Sequence, residues 1–147
     1  MRSFSYAAVF AILCSGLPAL AQETPSAPGT TVYFPTLSAG AEVSGPVTVV
    51  FGLSGMGVAP AGVEQEGTGH HHLLVNRAPY GEGEFGTEEY ELAMPADENH
   101  IHFGGGQTET TLDLPPGEHT LQLVFADHGH VPHDPPVFSE QITITVK

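Results

Sequence analysis

Short runs of β-favouring residues, each closed by a turn residue, make up the chain from Thr31 onward. In Val47–Leu53 and Gln141–Val146 apolar side chains recur at every second position, which is typical of a strand with one buried face. No segment has the clear periodicity of an amphipathic helix. The pattern predicts about seven strands, at Thr31–Phe34, Val47–Leu53, His72–Val75, His100–Phe103, Glu109–Leu114, His119–Phe125 and Gln141–Val146.

Strands of this number and spacing favour a two-layer, all-β fold. We expect a single antiparallel β-sandwich of immunoglobulin-like architecture, with a small β-barrel as the alternative. The likeness to antibody domains is one of architecture only, because the chain has one cysteine and no tryptophan. The acidic, glycine-rich segment from Arg77 to Asn99 is expected to be a surface excursion between two strands.

The first residues resemble a secretory signal peptide, expected at residues 1–21. Arg2 gives a positive start, Tyr6–Leu13 an apolar run, and Ala19–Ala21 a small-x-small cleavage site. The apolar run is too short to remain as a membrane-spanning helix. Leu13 stands where a lipidation signal requires a small residue, so Cys14 is expected to leave with the signal peptide. Cleavage after Ala21 predicts a periplasmic or secreted product.

The mature chain is expected to form one domain. Residues 22–30 are rich in Pro, Ser and Gly and predict a flexible lead-in. Residues 31–147 then have the length of a single domain with one core. Because the mature chain contains no cysteine, it has neither disulfides nor thiolate metal ligands.

The charge of the mature chain excludes two classes of partner. Arg77 and Lys147 stand against 17 acidic residues, a formal charge of −15 with neutral histidines. Nucleic acids and anionic lipid surfaces require basic patches, so we expect neither nucleic-acid binding nor membrane insertion. A negative surface instead concentrates cations. The sequence identifies no protein partner.

Eight of the nine histidines fall in three clusters, and only His119 stands apart. Side chains two residues apart on a strand share a face. His100 and His102 therefore share one face, and His70 and His72 share another, with His71 on the opposite side. The three clusters are His70–His72, His100 with His102, and His128 with His130 and His133.

The third cluster lies in a segment expected to be a rigid loop, Asp127–Pro136. Its prolines restrict the backbone and lower the entropy cost of a fixed geometry. The carboxylates of Asp127 and Asp134 are candidate ligands, or acceptors that fix an imidazole tautomer.

Clustered imidazoles in an exported, cation-attracting chain predict a transition-metal site. Imidazole, carboxylate and water ligands suit Zn(II), Cu(II) or Ni(II), and we expect copper or zinc. The candidates exceed what one ion can bind, so either two sites form or some residues support the ligands. The candidate ligands are His70, His72, His100, His102, His128, His130 and His133. The candidate supporting residues are Asp127, Asp134 and His71.

Two other functions compete with metal binding. One is a structural or interaction module whose histidines form a hydrogen-bonded network. The other is a metal-dependent enzyme with an open coordination position, which is the less favoured of the two. No catalytic residue is predicted, because Ser54 and Ser139 lack a nucleophile elbow. Gly104–Gly106 lack the lysine of a phosphate loop and predict a tight turn.

Several long motifs resemble a family of exported bacterial proteins, domain of unknown function 4399. The resemblance covers nearly all of Val32 to Val146 and departs at Arg77 to Asp97, where this chain is longer and more acidic. It implies export and a single domain and supplies no activity. The motifs are Val58–Glu64, Thr68–Leu74, Asn99–Glu109, Leu114–Gly117 and Asp127–Pro136.

Overall fold

Two layers of β-strands pack face to face in residues 24–147, which a computed structural model of the chain describes. The expected signal peptide lies outside these residues. No helix among them is long and apolar enough to cross a membrane. The strands are β1 (Thr31–Tyr33), β2 (Glu42–Val43), β3 (Val47–Val50), β4 (Gly52–Ser54), β5 (Gly57–Val58), β6 (Thr68–Val75), β7 (His100–His102), β8 (Glu109–Leu112), β9 (Gly117–Ala126), β10 (Pro132–Phe138) and β11 (Ile142–Val146).

The larger layer is a seven-stranded sheet built around β6 and β9, which pair antiparallel. Its main path runs β2-β11-β9-β6-β5, while β10 also pairs with β9 and β7 with β6. Two short edge pairs, β2 with β11 and β5 with β6, are parallel. The pairs β1–β4 and β3–β8 form two smaller sheets. The all-β sandwich is therefore confirmed, and the sheets of the described chain stay open rather than closing into the alternative barrel.

The core is filled by the alternating apolar side chains that the sequence pattern predicts. Val49 and Phe51 lie in one cluster with Leu73, Leu121 and Phe125 of the large sheet, all at most 4% exposed. Burial of one such side chain contributes about 1.5–3 kcal/mol to folding. The strongly alternating strands therefore form the stable frame on which the histidine segments are mounted.

The outer face of the large sheet is covered rather than solvated. Leu74 and Val124 point to this face and form a second buried cluster with Tyr80 and Met94. Both covering residues belong to the expected surface excursion, which includes a 3-10 helix at Gly86–Tyr90. This segment therefore covers β6 and β9, and His70 and His72 on that face are shielded from water.

Two predicted segments differ from the structure. The strand expected at Val47–Leu53 is divided at Phe51, since β3 pairs with β8 and β4 pairs with β1. The expected loop at Asp127–Pro136 includes most of β10. Proline is accepted there because β9 is the only named strand that pairs with β10 in the described chain, and the register of that pair shifts between Pro132 and Val137. On its other side, β10 forms a single bridge between Asp134 and Pro25.

Candidate metal centre

Two neighbouring strands supply three of the clustered histidines. His70 and His72 lie on the outer face of β6, and both rings are almost completely buried. The antiparallel register of β6 and β7 sets His102 directly opposite His72. Because directly opposed residues lie on the same face of a sheet, their side chains meet. His70 and His72 of β6 therefore lie on the same face of the sheet as His102 of β7.

The fourth histidine, His130, comes from the turn between β9 and β10. Asp127 shapes this turn, since its Oδ1 atom accepts hydrogen bonds from the amides of Gly129 (2.8 Å) and Val131 (2.9 Å). His130 itself has φ +66°, in the left-handed region that non-glycine residues seldom adopt. The Met94 amide donates to its carbonyl at 2.9 Å. The surrounding backbone therefore holds His130 in a strained conformation with its ring toward β6.

The rings of His70, His72, His102 and His130 converge on one point. Each offers one nitrogen, and the four nitrogens lie within 4.8 Å of one another. Nε2 of His70 is 3.1 Å from both Nε2 of His72 and Nδ1 of His130. Nitrogens bound about 2.0–2.1 Å from a tetrahedral zinc ion lie about 3.3 Å apart. The four imidazoles, hereafter the four-histidine centre, could therefore hold a metal ion with small side-chain movements.

Hydrogen bonding alone does not satisfy this centre. An imidazole nitrogen has either one proton or one lone pair in the ring plane, so it makes one good hydrogen bond. His70 Nε2 nevertheless faces two other ring nitrogens at the same distance. Nδ1 of His70 and Nε2 of His102 are buried without any hydrogen-bond partner among residues 24–147. A cation at the point of convergence would bind the nitrogen lone pairs that cannot all take part in hydrogen bonds.

His100 stands behind the centre rather than in it. Its Nε2 is 3.1 Å from His72 Nδ1, and its Nδ1 is 3.1 Å from Nη1 of Arg77. A guanidinium only donates, so His100 Nδ1 accepts, and its protonated Nε2 donates to His72. That order leaves the proton of His72 on Nε2, the nitrogen that faces His70. Metal binding through this atom must therefore displace a proton.

Burial keeps these rings neutral near pH 7. Loss of solvation, with the neighbouring His102 and His130, lowers the pKa of His70 from 6.5 to about 4. Burial and the adjacent His100 lower the pKa of His72 to about 2. The pKa of His102 is lowered by burial and by His130. A neutral imidazole is the form that binds metals, so the fold prepares the centre for a cation.

The remaining candidate histidines lie elsewhere. His128 is half-buried and lines a different cleft. His133 is buried, its ring stacks on Phe125, and its Nδ1 lies 2.8 Å from Thr24 Oγ1. His71 points into the core, with its ring between Phe51 and Phe125.

The two expected supporting aspartates have different surroundings. Asp127 is 3% exposed and binds the turn backbone, with Thr24 as a third donor. Asp134 has an exposed side chain, and its backbone pairs with Thr24 and Ser26. His119, which stands apart in the sequence, also stands apart in the fold. Its two nitrogens lie near Asn76 Nδ2 (3.0 Å) and the Pro115 carbonyl (2.8 Å).

Sequence reasoning missed two residues that act on the histidines of the centre. A Cβ atom on Gly104 would lie 2.6 Å from Nε2 of His102, so glycine leaves room for that ring. The sequence predicted a tight turn with positive φ at Gly104–Gly106, and of these three glycines Gly106 has positive φ, at +79°. Arg77 was the second residue missed, although the sequence does single it out: it is the one arginine after Arg2 and follows His72 closely.

A family model described as Domain of unknown function (DUF4399) matches residues 49–147. The chain belongs to this family. The match confirms the resemblance seen in the sequence, and it includes all four residues of the four-histidine centre. No curated protein and no solved structure matches the chain. DUF4399 membership assigns no chemistry, so the centre is interpreted from its own geometry.

Proposed function

We propose that this DUF4399 protein is an exported metal-binding protein that holds one Cu(II) or Zn(II) ion in the four-histidine centre. The observation that carries the proposal is the position of His70 Nε2, 3.1 Å from two other imidazole nitrogens. Three ring nitrogens at such distances are more easily explained by a shared cation than by hydrogen bonds, since Nε2 of His70 has only one proton or one lone pair for two partners.

Burial and charge support the same proposal. His70 and His72 are at most 1% exposed, whereas His102 and His130 are half-buried, so the centre is accessible from their side. The negative carboxylate of Asp127 attracts positive charge at His70. The strongly acidic chain adds a long-range attraction for cations. Negative charge therefore lies near a bound dication even though all four ligands are neutral.

The ligand set favours copper over zinc in affinity. Among the first-row divalent metals, Cu(II) binds nitrogen ligands most tightly. Zn(II) accepts four nitrogens in a tetrahedral arrangement and remains the second candidate. The supply of metals in an exported compartment decides which ion is bound, so the proposal includes both.

Calorimetric titration of chelated, untagged protein with Cu(II) and Zn(II) tests this proposal. We expect one ion per chain and a loss of affinity of about 100-fold or more in His130→Ala. The matched control is His128→Ala, which removes a histidine of the same turn that lies outside the centre. Nitrogen hyperfine splitting in the electron paramagnetic resonance of the copper form should decrease only in His130→Ala. Equal affinity in both variants would falsify the assignment.

A hydrogen-bonded histidine network is the second candidate function. It is favoured by the continuous chain of contacts from Arg77 through His100 to His72. A purely structural network predicts that the melting temperature does not change when either metal is added. The metal-binding proposal predicts a rise, because a ligand that binds only the folded state stabilises it.

A further inference from the structure

A cleft of about 160 Å³ lies beside the four-histidine centre and shares only Arg77 and His100 with the histidine network described above. Its walls come from β6 and from the segment that covers the outer face of the sheet. Leu74, Phe85, Leu92 and Met94 give it an apolar lining. Phe85 and Leu92 are 54% and 47% exposed, so apolar surface continues to the rim. The cleft therefore suits a compact, largely apolar ligand.

The volume limits that ligand to about one ring. An apolar cavity of about 150 Å³ in another protein binds benzene. A cleft of the same size cannot enclose a fused ring system or a peptide side chain together with its backbone. A single six-membered ring with one small substituent fills it.

Four charged or polar side chains line the cleft: Arg77, Tyr80, Glu89 and His100. His100 has both nitrogens within hydrogen-bond distance of other residues. Nη2 of Arg77 and Oε1 of Glu89 lie 3.8 Å apart, too far for a direct hydrogen bond. The other Glu89 oxygen, Oε2, already accepts from the Gly81 amide at 2.8 Å. One donor and one acceptor thus face each other across a gap that a hydroxyl oxygen can bridge.

The tyrosines beside the cleft do not fill this gap. The hydroxyl of Tyr80 donates to the backbone carbonyl of Glu89 at 2.7 Å. Burial and the nearby Glu89 carboxylate raise the pKa of Tyr80, so it remains a donor. The Tyr90 hydroxyl points to the Tyr80 carbonyl, 3.5 Å away. No tyrosine hydroxyl of the described residues bridges the pair, so the gap is open to the hydroxyl of a ligand.

We infer that the cleft binds a small neutral phenol, with its ring against the apolar walls and its hydroxyl between Arg77 and Glu89. The hydroxyl accepts from Nη2 of Arg77 and donates to Oε1 of Glu89. An aromatic carboxylate would accept from Arg77 but would set its charge against the Glu89 carboxylate. A plain aromatic hydrocarbon would leave the gap between Arg77 Nη2 and Glu89 Oε1 unbridged.

Titration of ¹⁵N-labelled, metal-free protein with phenol, toluene and benzoate tests this inference without depending on the metal proposal. We expect phenol to shift the amide signals of Gly81 and Gly83 and to bind about tenfold more tightly than toluene or benzoate. A preference for benzoate or toluene would overturn the hydroxyl assignment. Shifts confined to residues outside the cleft, or no shifts at all, would overturn the binding site.

Two variants sharpen the test. Glu89→Gln removes the charged acceptor and should weaken phenol binding about tenfold, while Glu88→Gln, an exposed neighbour on the same 3-10 helix, should leave it unchanged. In Gly83→Val the new Cβ would lie 3.4 Å from Glu89 Oε1 and block the cleft. Phenol affinity that survives in Gly83→Val, at an unchanged melting temperature, would also overturn the inference.

Discussion

Nε2 of His70 lies 3.1 Å from Nδ1 of His130, although the two residues are 60 positions apart in the chain. The strand pairing of β6 with β9 holds His70 in place. His130 lies in a turn, and its own backbone has an unfavourable positive φ. A strained residue persists only where its surroundings determine its conformation. The geometry of the four-histidine centre therefore depends on the groups that hold this turn.

Asp127→Ala should loosen that turn. The carboxylate accepts two backbone amides and the Thr24 hydroxyl, and hydrogen bonds to charged groups contribute about 1.5–3 kcal/mol each. We expect a loss of about 3 kcal/mol in the free energy of unfolding, measured by denaturant titration, and weaker metal binding by calorimetry. The control is Asp134→Ala, whose side chain is exposed. Similar losses in the two variants would contradict the role given to Asp127.

The metal-free protein should lose stability on moderate acidification. Burial lowers the pKa of His70, His71 and His100 to about 4, while an unfolded histidine has a pKa of 6.5. Above pH 6.5 both states are neutral and stability is complete. Below it the unfolded chain takes up protons that the folded chain excludes, so unfolding becomes easier until the folded values are reached.

The size of this effect is large for a small domain. Each such histidine costs about 2 kcal/mol by pH 5, because one pH unit corresponds to about 1.4 kcal/mol. Several losses of this size approach the whole stability of a domain, about 5–15 kcal/mol. We expect unfolding between about pH 6 and pH 4 in circular dichroism of chelated protein. A flat profile over this range would show that the histidines are not buried as neutral rings.

The fold was largely predictable because the alternating strands report their own buried face. Leu121, Leu123 and Phe125 recur at every second position, and the structure places all three in the core. The strand β10 was not predicted, because its prolines are typical of loops. Its pairing with β9 depends on its position in the folded sheet, which the local sequence does not contain.

The centre was predictable in its residue type and less so in its membership. The spacing of His70 with His72 showed a shared face, but it could not show that His102 would lie opposite His72, because strand register is a tertiary property. The expected excursion at Arg77 to Asn99 was described by its composition alone. In the structure this segment covers β6 because Tyr80 and Met94 are buried against the sheet, and sequence periodicity does not predict such contacts.

His71→Leu should stabilise the protein. Both nitrogens of His71 are buried with no hydrogen-bond partner in the described part of the chain, and its ring lies between Phe51 and Phe125. Removing an unpaired buried polar group in favour of an apolar one of similar volume should raise the free energy of unfolding by about 1–2 kcal/mol in denaturant titration. His119→Leu is the matched comparison and should destabilise the protein, since both nitrogens of His119 have partners. The reverse order of stabilities would contradict this interpretation.

Arg77→Gln should tighten metal binding. The guanidinium makes His100 Nδ1 an acceptor, which leaves the proton of His72 on the nitrogen that faces His70. The amide oxygen of a glutamine can accept from His100 instead, so both histidines can reverse their tautomers and free the Nε2 lone pair of His72.

We expect an increase of about tenfold in Cu(II) affinity, equivalent to about 1.4 kcal/mol, and fewer protons released per ion bound when calorimetry is repeated in buffers of different ionisation enthalpy. Lys147→Gln removes the same unit of charge at an exposed site and should change neither quantity. Equal gains in the two variants would mean that Arg77 acts only through its charge, and the proposed control of the His72 tautomer would fail.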